Sequence, residues 1–168
     1  MSDGTIESTE KFPRIRDLET IPSPYLSGIF DPIFSTFPDT DWIAVWETNR
    51  GCPFSCSFCD WGSAVAAKVN RFPLDRVLAE ADWLGRKEID FVWLADANFG
   101  ILKRDVDIAR KIKEVRQTTK LQTVITWDSK NTYERNSEIA QILGRYDRDQ
   151  HIANTGMAYV AVQNLSPK

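Results

Sequence analysis

Apolar positions in this chain follow two alternating rhythms. At 42–46, 89–95, 123–127 and 157–162 they run almost unbroken over five to seven residues, as in Trp42-Ile-Ala-Val-Trp46. Short apolar runs of this kind are the pattern of strands buried on both faces. Between them the apolar residues recur three and four apart: Leu74, Val77, Leu78, Ala81 and Leu84; then Ile108, Ala109, Ile112 and Val115; then Ile139, Ile142, Leu143 and Tyr146. That spacing predicts three amphipathic helices, each with one buried stripe. Pro73 is placed to open the first and Gly85 to stop it. Asp105 and Asp107 suit the positive N-terminal end of the second, and Asn136 can cap the third.

Strands apolar on both faces that alternate with amphipathic helices predict an α/β fold with a parallel sheet and right-handed crossovers, in the order βαβαβαβ. Ahead of this unit, residues up to about 10 are polar and acidic without periodicity, which predicts a frayed leader. Residues 21–32 contain Pro22, Pro24 and Pro32, and three prolines predict an extended segment laid along a surface. The expected organisation is a leader and Pro-rich linker over 1–40, followed by the α/β unit over 41–168. The alternation breaks off at Asn164-Leu-Ser-Pro-Lys168, where a fourth helix is due. Such a unit exposes a strand edge and an uncovered apolar face, both of which invite pairing. A fragment, one half of a split enzyme, or a chain dependent on a partner is therefore expected.

Composition narrows the function classes. With 168 residues, 42% hydrophobic and 27% charged, the chain can build one core. A net charge of −3 and a pI near 5.2 provide no cationic face for nucleic acid or an anionic membrane. No apolar run approaches the roughly 20 residues that cross a bilayer, and a basic-then-apolar leader is lacking, so a cytoplasmic location with reduced thiols is expected.

The candidate chemistry is concentrated in the cysteines. Cys52, Cys56 and Cys59 are the only three in the chain, and they fall within one eight-residue run directly after the first strand. Thiolates select zinc, copper(I) or iron-sulfur clusters, and a closed site uses four protein ligands. A fourth cysteine does not exist, and the lone histidine, His151, lies far off in a polar stretch. An odd count of thiols does not pair into a disulfide framework. Three thiolates at this spacing can hold one side of an iron-sulfur cube and leave its fourth iron open; a zinc site completed by His151 and a chance gathering of core cysteines are the alternatives.

The run Glu47-Thr-Asn-Arg-Gly-Cys52-Pro-Phe-Ser-Cys56-Ser-Phe-Cys59 resembles the cluster loop of the radical S-adenosylmethionine superfamily, whose signature is C-x3-C-x2-C with an aromatic before the last cysteine. Phe58 fills that aromatic place. The resemblance implies a partial (β/α) barrel of which this chain covers the first half, with about four strands. It also implies a [4Fe-4S] cluster on Cys52, Cys56 and Cys59 whose fourth iron is chelated by S-adenosylmethionine. Transfer of one electron then cleaves the sulfonium to methionine and a 5'-deoxyadenosyl radical. Residues 21–32 are similar to the linker of cobalamin-associated members of the superfamily. The residues of this chain before it are not expected to form a cobalamin-binding domain, so cobalamin enters by analogy alone.

In parallel α/β architectures ligands gather at the C-terminal ends of the strands. The second strand ends in Ala95-Asp-Ala-Asn-Phe-Gly100, where the superfamily carries a Gly-Gly-Glu-like stretch that holds the amino group of S-adenosylmethionine. This chain departs from that pattern, and Asp96 and then Asn98 are the candidate acceptors; a turn stabilised by Asp and Asn side chains is the plain alternative. Asp128, with Ser129 and Lys130, follows the third strand, and Gln163 follows the fourth; both Asp128 and Gln163 are candidate cofactor contacts. Gly51 is expected to supply the backbone turn into the loop. The leading expectation is a radical S-adenosylmethionine enzyme domain that needs an external electron donor and acts on a small-molecule or peptide substrate. The rivals are a non-catalytic iron-sulfur module and a zinc-binding interaction domain.

Overall fold

The computed structural model describes residues 9–10, 13, 15–56, 59, 67–121, 123–125 and 133–143. Three short strands, β1 (Ile43–Trp46), β4 (Phe91–Leu94) and β5 (Thr123–Ile125), form one parallel sheet in the order β1-β4-β5. Ile43 lies opposite Phe91 and Phe91 opposite Thr123, so the three strand starts are level. The expected strand over 157–162 lies outside the described residues.

Two helices fill the connections, α2 (Leu74–Arg86) and α3 (Asp105–Arg116), and α4 (Tyr133–Leu143) packs against α3. Val77, Ala81 and Leu84 of α2 and Ile108, Ala109 and Ile112 of α3 are fully or almost fully buried with Ala44, Trp46, Val92 and Leu94 of the sheet. Each large aliphatic side chain so buried contributes about 1.5–3 kcal/mol. The sheet's other face is open: Ile43 and Val45 are 66% and 64% exposed. The strands are thus covered on one side only, among the described residues.

Three sequence expectations need correction. Gly85 does not end α2; the helix runs to Arg86 and closes with Glu88 at φ 55, the Ile89 N–H donating to Leu84 O and the Glu88 N–H to Gly85 O. This is the paired-bond termination of a helix with a left-handed residue after it. Gly85 serves packing instead, since a Cβ there would lie 2.5 Å from Val115 Cγ1 and 2.9 Å from Thr119 Cγ2. Asn136 lies inside α4, which starts at Tyr133, so it is not the cap.

The Pro-rich segment is not extended either. It folds into turns over 24–30 and a short helix, α1 (Asp31–Thr36), whose first turn holds Pro32. A proline there sacrifices no hydrogen bond, because the first N–H groups of a helix have no intrahelical partner. Tyr25, Phe30 and Phe34 then form an aromatic cluster with Trp83, at centroid distances of 5.1, 6.2 and 5.6 Å. The Tyr25 hydroxyl donates to Val45 O and so covers the free edge of β1. Burial pushes the Tyr25 phenol up to about 12.

One buried carboxylate ties these layers together. Glu80 of α2 is 2% exposed; Trp46 Nε1 donates to it at 2.8 Å and Arg76 Nε pairs with it at 2.9 Å. Arg76 also donates to Ile21 O and lies 4.3 Å from the Phe72 ring centroid. A buried charge persists only when it is paired and hydrogen-bonded, and Glu80 meets both conditions.

Candidate metal centre

The cysteine loop leaves from the C-terminal end of β1. Two short strands, β2 (Asn49–Arg50) and β3 (Asn70–Arg71), pair antiparallel, so the chain departs and returns through one narrow neck. Gly51, the first residue past the neck, has φ 109, and a Cβ on it would lie 2.5 Å from Lys68 O. Only glycine accepts both that backbone conformation and that approach. Just beyond, the Ala67 N–H donates to Cys52 O at 2.8 Å. Cys52 is therefore fixed at the base of the loop. Cys56 and Cys59 lie farther out, linked by the Cys59 N–H to Cys56 O bond of 3.1 Å.

The neck is held from below by Asp96, at the end of β4. Asp96 is fully buried, and its carboxylate accepts from Thr48 N at 2.6 Å, Asn49 N at 3.1 Å, Asn49 Nδ2 at 2.6 Å and the Thr48 hydroxyl. Burial pushes the Asp96 carboxyl up to about 7, against the downward pull of the donors on Thr48 and Asn49. Arg104 closes the neck from the other side. Its guanidinium donates to Thr48 O at 2.7 Å and to Phe72 O, and the Phe72 N–H donates to Thr48 O at 3.1 Å. Desolvation lowers the Arg104 pKa, while Asp105 and Asp96 oppose that shift.

Asn98 reaches the cysteines themselves. Its Nδ2 donates to Cys52 Sγ at 3.1 Å, and the residue is 7% exposed. The turn that carries it is fixed on all sides. Phe99 is fully buried, the Gly100 and Leu102 N–H groups both donate to Asp105 Oδ2 at 2.9 Å, and Arg135 Nη1 donates to Gly100 O and Ile101 O at 2.8 Å. Asp105 is fully buried, and burial raises its carboxyl against these N–H donors.

Of the candidates named from sequence, the structure brings together Cys52, Asp96 and Asn98 at the ends of β1 and β4. Phe58, Asp128 and Gln163 lie outside the described residues. No disulfide joins the cysteines, and among the described residues no three His, Cys, Asp or Glu side chains already converge on one point. The donor set fits a thiophilic cluster nonetheless: three half-buried thiols lie on a loop whose base is clamped, and an amide donor is aimed at the first sulfur.

Sequence reasoning missed Thr48, Asn49 and Arg104. Thr48 and Asn49 precede the cysteines and read as plain loop, while Arg104 in Leu102-Lys-Arg-Asp reads as a solvated helix start. The one available signal was Asp96, a carboxylate directly after an apolar strand, which needs donors from somewhere.

Comparison with known proteins gives the site its family context. No protein-family model matches the chain. Over 135 residues, 79% of this chain, it is 42% identical to the 2-(S-pantetheinyl)-carbapenam-3-carboxylate methyltransferase of Streptantibioticus cattleyicolor, of which 19% is covered. It is 43% identical over 109 residues, 64% of this chain, to the cobalamin-dependent radical SAM methyltransferase TokK of Streptomyces tokunonensis, of which 16% is covered. The chain thus spans less than a quarter of the length of the curated relatives it matches. Among solved structures, the radical S-adenosylmethionine methyltransferase TsrM from Kitasatospora setae superposes with a TM-score of 0.50 at 19% identity, over 60% of this chain and 19% of that one. That likeness is one of fold. Part of this chain is thus similar to one cobalamin-dependent radical SAM methyltransferase and to a second methyltransferase, and that similarity supports the superfamily resemblance drawn from its cysteine loop.

Proposed function

We propose that this chain forms the cluster-binding part of a radical S-adenosylmethionine enzyme, with Cys52, Cys56 and Cys59 holding a [4Fe-4S] cluster. The observation that carries the reading is the position of the Cys-x3-Cys-x2-Cys loop, which rises from the end of β1 with its base locked by the residue that ends β4. Ligands of parallel α/β sheets gather at that end. What the cluster supplies when bound is one electron for reductive cleavage of S-adenosylmethionine to methionine and a 5'-deoxyadenosyl radical.

The chain's own residues position this chemistry. Gly51 and the β2–β3 neck place Cys52 at the mouth of the sheet. Asp96 and Arg104 hold Thr48 from opposite sides, which fixes the neck from which the cysteine loop leaves. The four donors already on the Asp96 carboxylate direct it to the loop, which leaves Asn98 as the nearer candidate for the amino group of S-adenosylmethionine through its Oδ1. Phe58, Asp128 and Gln163 complete the proposed cofactor contacts. The open face of Ile43 and Val45 is the side on which further strands of a partial barrel close, whether from more of the same chain or from a partner.

Methyl transfer is the reaction class that the relatives' names favour. The substrate is a small molecule or a peptide, and the electron comes from an external donor in a reducing compartment.

Anaerobic loading with iron and sulfide tests the reading. Uptake of about four irons per chain, a visible spectrum that changes on addition of S-adenosylmethionine, and loss of both in Cys56→Ala are expected. Zinc as the only bound metal, or full iron uptake by Cys56→Ala, overturns the assignment. Iron uptake without 5'-deoxyadenosine release under strong reductant reassigns the chain as a non-catalytic cluster module.

A further inference from the structure

We infer that Asn98 is a positioning residue for the cluster, donating a hydrogen bond from Nδ2 to the Cys52 thiolate and thereby raising the cluster's reduction potential. This deepens the reading above and rests on it.

Cys52 is the inner ligand, set by Gly51 and by the Ala67 N–H to Cys52 O bond, so its sulfur keeps its position relative to the end of β4. Asn98 faces it from a turn that spends buried groups on rigidity: Asp105 takes two backbone N–H groups, Arg135 two carbonyls, and Phe99 is wholly enclosed. Gly100, at φ 90, turns the chain where Asn136 presses in, with its Oδ1 only 2.2 Å from where a Cβ would stand. A surface amide that merely brushes a thiol needs none of this scaffold.

The chemistry sets the sign. One-electron reduction adds negative charge to the cluster and its sulfurs and leaves protons unmoved, the electron coming from the added reductant. A donor aimed at a ligand sulfur stabilises the more negative state, so it makes reduction easier. A hydrogen bond to a charged acceptor is stronger than one between neutral groups, but both oxidation states keep part of it. The differential is of the order of a tenfold change in the equilibrium constant for reduction, which for one electron is about 59 mV.

The test is an anaerobic dithionite titration of the iron- and sulfide-loaded full chain, followed by electron paramagnetic resonance, with iron counted in every sample. Asn98→Leu is expected to bind as much iron as wild type and to be reduced with an about tenfold smaller equilibrium constant, shifting the midpoint negative by about 59 mV. Asn98→Asp, which places a carboxylate beside the sulfur, is expected to shift it further in the same direction. If both variants hold full iron at the wild-type midpoint, the inference falls while the cluster assignment stands. Loss of iron from both variants makes Asn98 a scaffold residue and also overturns the inference. Failure of the wild type to bind iron overturns the underlying reading instead.

Discussion

Replacing Asp96 by alanine is expected to cost about 3–5 kcal/mol of folding stability. The variant strands the Thr48 and Asn49 N–H groups and leaves the Asn49 amide only its long 3.4 Å bond to the Thr48 hydroxyl, in a region where Thr48, Asn49 and Asp96 are all essentially inaccessible to water. Each unsatisfied buried donor costs about 1–3 kcal/mol, and the Thr48 hydroxyl can rotate to another acceptor. Urea unfolding at pH 6, with the slope m checked to be unchanged, measures the loss. Hydrogen exchange at Thr48 and Asn49 locates it. A difference from wild type under 1 kcal/mol would refute the account of Asp96 as the anchor of the loop neck.

The same carboxyl makes a pH prediction. Burial raises it from 3.8 to about 7, so between those values the folded protein holds this proton more tightly than the unfolded chain does. Its contribution is whole below about 4 and is lost as the pH rises through about 7. The span of roughly three pH units corresponds to about 4 kcal/mol. Asp96→Asn removes the titration while keeping the shape. The variant's carbonyl can accept from both N–H groups, and its NH2 can donate to the Asn49 amide once that flips, since Asn49 Oδ1 has no hydrogen-bond partner among the described residues. Stability of Asp96→Asn is expected to be nearly flat over that range, and a slope equal to wild type would refute the assignment of the titration to Asp96.

Gly51→Ala places a Cβ 2.5 Å from a backbone oxygen at φ 109; a loss of about 1–3 kcal/mol, measured by chemical unfolding, is expected together with reduced iron uptake. Gly85→Ala sets a Cβ against Val115 and Thr119 between α2 and α3, and a net loss of about 1–2 kcal/mol in thermal unfolding is expected, because overpacking outweighs the better helix propensity. Glu80→Ala leaves Arg76 as an uncompensated, largely buried charge and Trp46 Nε1 without its acceptor, at a cost of about 3–5 kcal/mol; a Glu80→Ala protein as stable to urea as wild type would contradict that network.

What sequence alone revealed depended on whether a residue's role is local or arises from a distant partner. The strands over 42–46 and 89–95 were legible from their nearly unbroken apolar runs, although one face of β1 is exposed rather than buried, and the helices carrying Val77, Leu84, Ile108 and Ile112 were legible because burial repeats with a short period. The ends were less legible: Ile89 belongs to the close of α2 through its bond to Leu84 O, and β4 begins only at Phe91. The β2–β3 neck joins Asn49–Arg50 to Asn70–Arg71, two polar dipeptides about twenty residues apart with no periodicity to betray them. Asp96 was legible as a site residue from its place after a strand, but its donors belong to a segment 47 and 48 positions away. The cysteines were legible because metal chemistry demands a particular residue type at close spacing, whereas almost any loop sequence can hold those cysteines in place, provided its backbone groups find partners. It follows that a change in the Thr48 side chain is tolerable where the bonds of its backbone N–H to Asp96 and of its carbonyl to Arg104 are kept, while a change at Gly51, where φ and the approach of Lys68 both forbid a side chain, is not.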